Sequence, residues 1–356
     1  MKIALFSDLH AHPFKPYAKV LSDGMNSRLR DAINCIEQIV EECVINDVDL
    51  VLFGGDLFHV RRQINVMAFN AAYQALSKFR VHNIPVALIP GNHDMADKEG
   101  KDHSTYAFRT FCTVIDEPSW YLLQGRNGET CAVLGIPYTE NVAHLQQVVQ
   151  APPPAAGVPK ILLGHLGIQG AKVGADFVFS NPHDARIEDL QCSKFDQVFL
   201  GHYHLHQQLA PNAWYIGAPL QHNWGDRGQP RGFLIYDTET HSHEFVSLNA
   251  PEFVQVDPGG SAAGKAGDYV RLVDTRQWSE DERENYRQKI QAASLEIVPP
   301  KVQLRPSTAP RIEITPTMTL QESMTKYVMS GRHSTDGLDD SYLLQIGREI
   351  LEEVGE

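Results

Sequence analysis

Five stretches of this chain hold residues whose types and spacing could do chemistry: Asp8-Leu9-His10, Gly54-Gly55-Asp56-Leu57-Phe58-His59, Gly91-Asn92-His93-Asp94, Gly164-His165 and Gly201-His202-Tyr203-His204. They supply carboxylates, imidazoles and a carboxamide, and no thiolate. Such donors suit Mn²⁺, Fe²⁺ or Zn²⁺ in a hydrolytic site, and the lack of cysteine disfavours a structural zinc. Two ions roughly 3.5 to 4 Å apart need one carboxylate that can face both. Asp56, at the end of a central strand, is placed for that. Asp8 and His10 would then hold one ion, Asn92 and His165 the other, and His202 and His204 one each. Residues i and i+2 leaving a strand point the same way, so both members of DxH and of HxH reach one cavity.

Positioning these groups requires strands, and each stretch follows an apolar run: residues 3–7, 50–54, 86–90, 161–163 and 195–200. Short runs rich in Val, Ile, Leu and Phe read as buried strands. Polar groups at successive strand ends converge on one rim of a sheet. Between the first runs lie two helical periods, Leu29, Ile33, Ile36 and Val40, then Val66, Phe69, Tyr73, Leu76 and Phe79. The order strand, helix, strand, helix, strand predicts a parallel sheet with right-handed crossovers. The aromatic stripe Phe69, Tyr73 and Phe79 reads as core.

From about residue 120 the rhythm changes to strands with little helix, at 131–136, 161–163, 195–200, 214–216, 233–236 and 244–248, which predicts a second sheet packed on the first. Pro258-Gly259-Gly260-Ser261-Ala262-Ala263-Gly264 is low in complexity and marks a boundary. Beyond it, a strand at 269–273, a charged helix at 279–293 and a strand at 296–304 make a small α+β appendage. Helices at 320–329 and 341–354 close the chain. The expected division is 1–257 for the catalytic domain, 265–312 for the capping domain and 313–356 for a helical partner-binding segment.

Bulk properties narrow the function. A hydrophobic content of 42% and a charged content of 21% describe a globular protein, and five scattered cysteines with no CxxC argue for reduced thiols. No run approaches a membrane span and no leader pattern opens the chain, so a cytoplasmic protein with no membrane partner is expected. The net charge of -13 speaks against a broad basic face of the kind that non-specific DNA binding needs. Contact with nucleic acid must be local, carried by bound metal, or shared with a partner.

The motifs DLH, GDLFH, GNHD, GH and GHYH, in this order over the first 205 residues or so, resemble the calcineurin-like metallophosphoesterase superfamily. GDLFH followed by Arg61-Arg62, and Tyr215-Ile216-Gly217-Ala218-Pro219 running to Gly225-Asp226 and Arg231-Gly232-Phe233, are similar to its SbcD branch of recombination nucleases. The resemblance implies an α/β fold, a two-sheet sandwich flanked by helices, with a small α+β capping domain and C-terminal helices after it. It implies Asp8, His10, Asp56 and His204 on one ion and Asp56, Asn92, His165 and His202 on the other, with Mn²⁺ preferred. His93 would act on the scissile phosphate as general acid or transition-state stabiliser, and His59 would help position that phosphate. DNA is the implied substrate, and an SMC-like (SbcC-type) coiled-coil ATPase the implied partner.

Arg61 and Arg62 are candidates for phosphate contact, and a homodimer is a further expectation. His12 is expected to stand beside the chemistry. His82, His103, His144, His183, His206, His222, His241, His243 and His333 are expected on the surface or in loops, His222 being the nearest to an exception. Two other readings stand beside the Mn²⁺-dependent exonuclease or endonuclease of DNA repair and recombination. One is a phosphodiesterase or phosphatase for small substrates, which the hundred residues after 257 disfavour. The other is a non-catalytic scaffold of the same fold, which the complete ligand set disfavours.

Overall fold

A computed structural model describes residues 1–96, 102–173, 181, 183–258, 260, 266–300, 318–330 and 339–353. The chain divides into two compact units, Met1–Pro300 and Lys301–Glu356.

In the first unit, β1 (Lys2–Phe6), α1 (Ser27–Ile45), β2 (Leu50–Phe53), α2 (Val66–Val81), β3 (Val86–Leu88) and β4 (Thr113–Val114) form the expected crossover series. The four strands are parallel. Each helix starts where an asparagine can cap it: Asn26 Oδ1 accepts from Leu29 N and Asn65 Oδ1 accepts from Ala68 N, both at 3.1 Å. α1 stops at Asn46, after which Asp47 turns left-handed at φ 54°.

Next come β5 (Ser119–Gln124), β6 (Thr130–Ile136), α3 (Val142–Gln150), β7 (Lys160–His165), β8 (Gln197–Gly201), β9 (Gln207–Ala210) and β10 (Ala213–Tyr215). They build a second six-stranded sheet in the order β5-β6-β7-β8-β10-β9. β11 (Gly232–Asp237) and β12 (Ser242–Ser247) then return to the first sheet, which runs β12-β11-β1-β2-β3-β4. The strands at 119–124 and 207–210 are additions to the sequence reading.

The alternation of the strands decides the layers. Ile3, Leu5, Leu50 and Leu52 meet Val133, Ile161, Leu163 and Phe199 in one buried cluster between the sheets. Ala4, Phe6, Val51 and Phe53 point the other way and pack with Leu29, Ile36, Leu76 and Phe79 of the helices. Leu134, Leu162, Val198 and Leu200 do the same with Leu145 and Val149 of α3. The result is the expected helix, sheet, sheet, helix sandwich. Phe79 is fully buried, the partly buried Phe69 stacks on Phe58 and the partly buried Tyr73 tilts against Phe108, so the aromatic stripe packs on the core.

A third sheet joins β13 (Phe253–Val256), β14 (Tyr269–Val273) and β15 (Ser294–Val298) in parallel, with α4 (Glu280–Lys289) between the last two. Its first strand comes from before the glycine-rich stretch, so the sheet pairs across it. Phe253 N donates to Gln221 Oε1 at 2.7 Å, and Tyr269 Oη donates to Asp31 Oδ2 at 2.9 Å, seating the sheet beside α1. In the second unit, α5 (Leu320–Val328) and α6 (Asp340–Glu353) pack together, with Gly347 directly against Met324. The boundary expected at 312 and Val354 lie outside the described residues.

Candidate metal centre

The motif loops leave the strand ends in strained backbone. Asp8, His10, Asp56 and His202 have φ of 56°, 50°, 57° and 106°. Left-handed conformations of this kind cost about 1 to 3 kcal/mol each and persist only where neighbours over-determine them. Here the loop after β1 is laced to the loop after β2: Asp8 N donates to Gly55 O at 2.8 Å, His10 N to Asp56 O at 3.0 Å and Ala11 N to Leu57 O at 2.8 Å. Gly91 is required by close approach, because a Cβ there would meet the Asp56 carboxylate.

The donors converge as the spacing predicts. Asp8, His10 and His204 offer ligand atoms within 4.8 Å of one another, and so do Asp8, Asp56 and His165. Asp56 Oδ2 lies 3.6 Å from His10 Nε2 and 3.5 Å from His165 Nε2, between the two halves. His10 Nε2 is 3.2 Å from His204 Nε2. Asn92 Oδ1 is 3.1 Å from both His165 Nε2 and His202 Nδ1. Asp8 accepts the backbone N–H of His202 at 3.1 Å, joining the first motif to the last.

This arrangement fits divalent cations. His165 Nδ1–H donates to Gly54 O at 2.7 Å, which commits that nitrogen and turns Nε2 towards Asn92 Oδ1 and Asp56. A lone pair on Nε2 would then face only acceptors, so a positive charge belongs between them. In a metal-free chain a proton answers: burial opposes it, but the Asp56 carboxylate raises His165 to about 9. Burial likewise opposes ionisation of Asp56, and His165 and His10 overcome it, holding that carboxylate well below its usual range. Burial keeps His10 well below the ordinary imidazole value and brings His202 down to about 3, as neutral nitrogen ligands must be.

His93 and His59 stand beside this set. Their rings stack at 5.3 Å, and His93 Nδ1–H donates to His59 O at 2.6 Å, which leaves Nε2 for chemistry. His59 Nδ1 is 3.4 Å from His10 Nδ1, and burial lowers His59 to about 4. Both rings line a cavity of about 510 Å³ with Asp56, Asn92, His202 and His204, and with Phe14, Tyr17, Arg28 and Trp224.

The profile of the calcineurin-like phosphoesterases matches residues 1–206. The chain belongs to that family. Two-metal hydrolysis is the chemistry of these phosphoesterases, and donor groups for it are in place. The chain is 26% identical over 223 residues to exonuclease subunit 1 of Enterobacteria phage T4, covering 61% of each. It is 23% identical over 227 residues to putative phosphoesterase 244L of Invertebrate iridescent virus 6, covering 57% of this chain and 70% of that one. To DNA double-strand break repair protein Mre11 of Methanocaldococcus jannaschii it is 26% identical over 188 residues, covering 51% of this chain and 47% of the other. The matches thus span less than two thirds of the length of two of these three phosphoesterase-family relatives.

Four residues to which the sequence assigns no role complete this phosphoesterase site. His222 packs edge-on against His10 and against His204 at 5.0 Å, and its Nε2–H donates to Asp8 O at 2.9 Å, so it belongs to the site. A buried pair, Arg231 with Asp226 at 2.8 Å, holds it there: Arg231 also donates to His204 O, and Asp226 Oδ2 accepts His222 N at 2.8 Å. Asp94 accepts Leu57 N, Phe58 N and Gly91 N at 3.0 to 3.1 Å. Burial and the nearby Asp56 charge raise it to about 6 against the pull of those three N–H groups.

Of the histidines expected on the surface or in loops, His103 and His206 lie in loops but are partly buried, and His243 lies in β12. His103, its side chain 1% exposed, bonds Asp116 and Thr105. His206 and His243 pack on Trp214 at 5.5 and 4.6 Å where β10 meets β12. His12 sits half-buried, 5.5 Å from His59. Arg61 and Arg62 are exposed and lie outside the cavity lining, with Arg62 Nε donating to Ala96 O. His333 lies outside the described residues.

Proposed function

We propose that this phosphoesterase is a Mn²⁺-dependent DNA nuclease that works with an SMC-like coiled-coil ATPase in end processing, recombination or repair. The observation that carries the reading is Asp56 Oδ2, set between His10 and His165 at nearly equal distances, with His93 on the adjoining wall. Asp8, His10, Asp56 and His204 would hold one ion, and Asp56, Asn92, His165 and His202 the other. Two divalent ions held there would activate water as the nucleophile and neutralise charge on the transferring phosphoryl group.

The chain's own groups do the rest. His93 Nε2 acts at the scissile phosphate as general acid or transition-state stabiliser, and the ring's Nδ1–H bond to His59 O keeps it facing the cavity. His59 stacks behind it and steers the phosphate. DNA as substrate is supported by the relatives named an exonuclease subunit and a DNA double-strand break repair protein. The word subunit supports work in an assembly, and the second unit offers a surface: Leu320, Tyr327, Met329 and Tyr342 are each about half exposed or more. The proposed division keeps 1–257 as the nuclease domain, 265–312 as the cap, whose sheet takes β13 from before that boundary, and 313–356 as the partner-binding segment.

The test is to incubate purified protein and Mn²⁺ with linear duplex DNA, single-stranded DNA and a chromogenic phosphodiester. Cleavage of DNA supports the reading. Cleavage of the small diester alone moves the protein to the small-substrate phosphodiesterases, and no cleavage of anything points to a scaffold. Copurification of the native complex, read by mass, identifies the ATPase or its absence.

A further inference from the structure

The wall of the cavity that holds no metal donors is unexplained by hydrolysis alone. Phe14, Tyr17, Trp224 and Arg28 form it together with Pro16 and Asn223, and it adjoins the chemistry directly: the Phe14 ring is 4.7 Å from His59, and Trp224 follows His222 by two residues. We propose that this wall is a subsite for one unstacked nucleotide next to the scissile phosphate, with the base against the rings and the neighbouring phosphate facing Arg28. The proposal rests on the nuclease reading above and adds what part of the substrate the enzyme grips.

Arg28 is the first reason. It is only 7% exposed, and among the described residues Asp31 is the carboxylate that acts on it, through space and without a direct ion pair. Its guanidinium sits 4.5 Å over the Phe14 ring and donates to His222 O at 2.6 Å. It also donates to Pro16 O at 3.5 Å and bonds Tyr269, whose Oη donates to Asp31, so its partners are neutral groups and one carboxylate at a distance. Buried charges are normally paired, so a cation in a cavity wall without an ion-pair partner suits an anionic ligand. On a chain of net charge -13 such a local cation must do what a basic face does elsewhere.

Tyr17 is the second. A bulky residue at φ 64° is a backbone outlier, and outliers of this kind collect at ligand clamps. Trp224 Nε1–H donates to Tyr17 Oη at 3.0 Å, and the rings of Phe253 and Tyr269 hold Tyr17 from the third sheet at 5.8 and 6.0 Å. Arg271 covers the Trp224 ring at 3.9 Å, which fixes that ring as well. The rings are therefore rigid, half-buried and presented to a cavity whose volume of about 510 Å³ falls in the range of roughly 300 to 1,000 Å³ typical of small-ligand sites. Rigid aromatic faces beside a phosphate site take bases by stacking, whatever the sequence.

The experiment uses the Mn²⁺-loaded full chain and a single-stranded oligothymidylate in which one residue at a time is replaced by an abasic tetrahydrofuran. At one position beside the cleaved bond the abasic residue should raise KM about tenfold or more with kcat little changed. In Phe14→Ala, and in Phe14→Leu, which keeps apolar bulk without a ring, that abasic penalty should vanish, with bound Mn²⁺ unchanged as the measure of folding. A penalty absent at every position in the unsubstituted protein overturns the subsite and leaves the nuclease reading intact. The same penalty with and without the Phe14 ring overturns it too. No cleavage of any oligonucleotide by the metal-loaded chain overturns the nuclease reading and the subsite together.

Discussion

The Asp94 carboxylate accepts the backbone N–H of Leu57 at 3.1 Å, and by that bond the loop that carries Asn92 and His93 is tied to the loop that carries Asp56. Its other oxygen accepts Phe58 N and Ser104 Oγ. Asp94→Asn keeps the shape but turns one acceptor into a donor facing N–H groups. A buried donor left unsatisfied costs about 1 to 3 kcal/mol, so the unfolding free energy should fall by that amount, read as a lower urea midpoint at unchanged m-value, and Mn²⁺ affinity should fall with it. An unchanged midpoint with unchanged metal affinity would show that the two loops hold their places without this carboxylate.

Asp56→Ala is expected to remove the ligand shared by both ions and to abolish activity on every substrate. The fold should survive, because the clusters between the sheets and under the helices do not include this side chain. Calorimetric titration is the check. Two ions still bound at near-normal affinity would mean that Asp56 does not bridge.

His93 should behave differently, since its ring reaches the cavity while Nδ1 is committed to His59 O. His93→Ala is expected to lower turnover by roughly 10²- to 10⁴-fold, the usual range for general acid-base groups, with metal content unchanged. Loss of an ion on this substitution would make His93 a ligand.

Much of this was legible in the sequence, for a physical reason. Each motif that carries proposed ligands follows an apolar strand, and a strand end in a parallel sheet has one rim to point to. Asp8, Asp56, Asn92, His165, His202 and His204 were readable on those terms. His222 was not, because it follows no strand: it reaches the site on a loop held by Arg231, Asp226 and Arg28, partners far apart in sequence. Gln207–Ala210 was missed because a polar edge strand lacks an apolar run. Phe253–Val256 was missed because its partner, β14, comes after the glycine-rich stretch that looks like a boundary.

Acid should loosen the seam between the sheets. His243 packs on Trp214 at 4.6 Å and on Phe199 at 5.9 Å, and burial holds its folded value below the ordinary imidazole value of about 6.5. A histidine depressed in the folded state contributes stability that is present above the unfolded value and is lost as pH falls through the folded one. His243→Phe should therefore lose less stability than the unsubstituted protein between pH 7 and pH 5. Parallel urea titrations at the two pH values measure this, and equal losses would place the acid sensitivity elsewhere.

The last expectation concerns the second unit. α6 carries Leu343 and Ile346 at helical spacing, and α5 meets it at Met324, so the two helices cover part of one another. Leu320, Tyr327, Met329 and Tyr342 nevertheless stay exposed, at 57%, 48%, 67% and 52%. Apolar side chains on a helix pair match a groove or a coiled coil on another protein. A chain ending at Thr315 should keep Mn²⁺-dependent cleavage of a small phosphodiester, because all the proposed ligands lie before residue 205. It should lose association with the ATPase and any ATP-dependent action on duplex DNA. If that shortened chain instead aggregates, or loses activity on the small diester, the helices serve the catalytic unit and the partner reading of 313–356 falls.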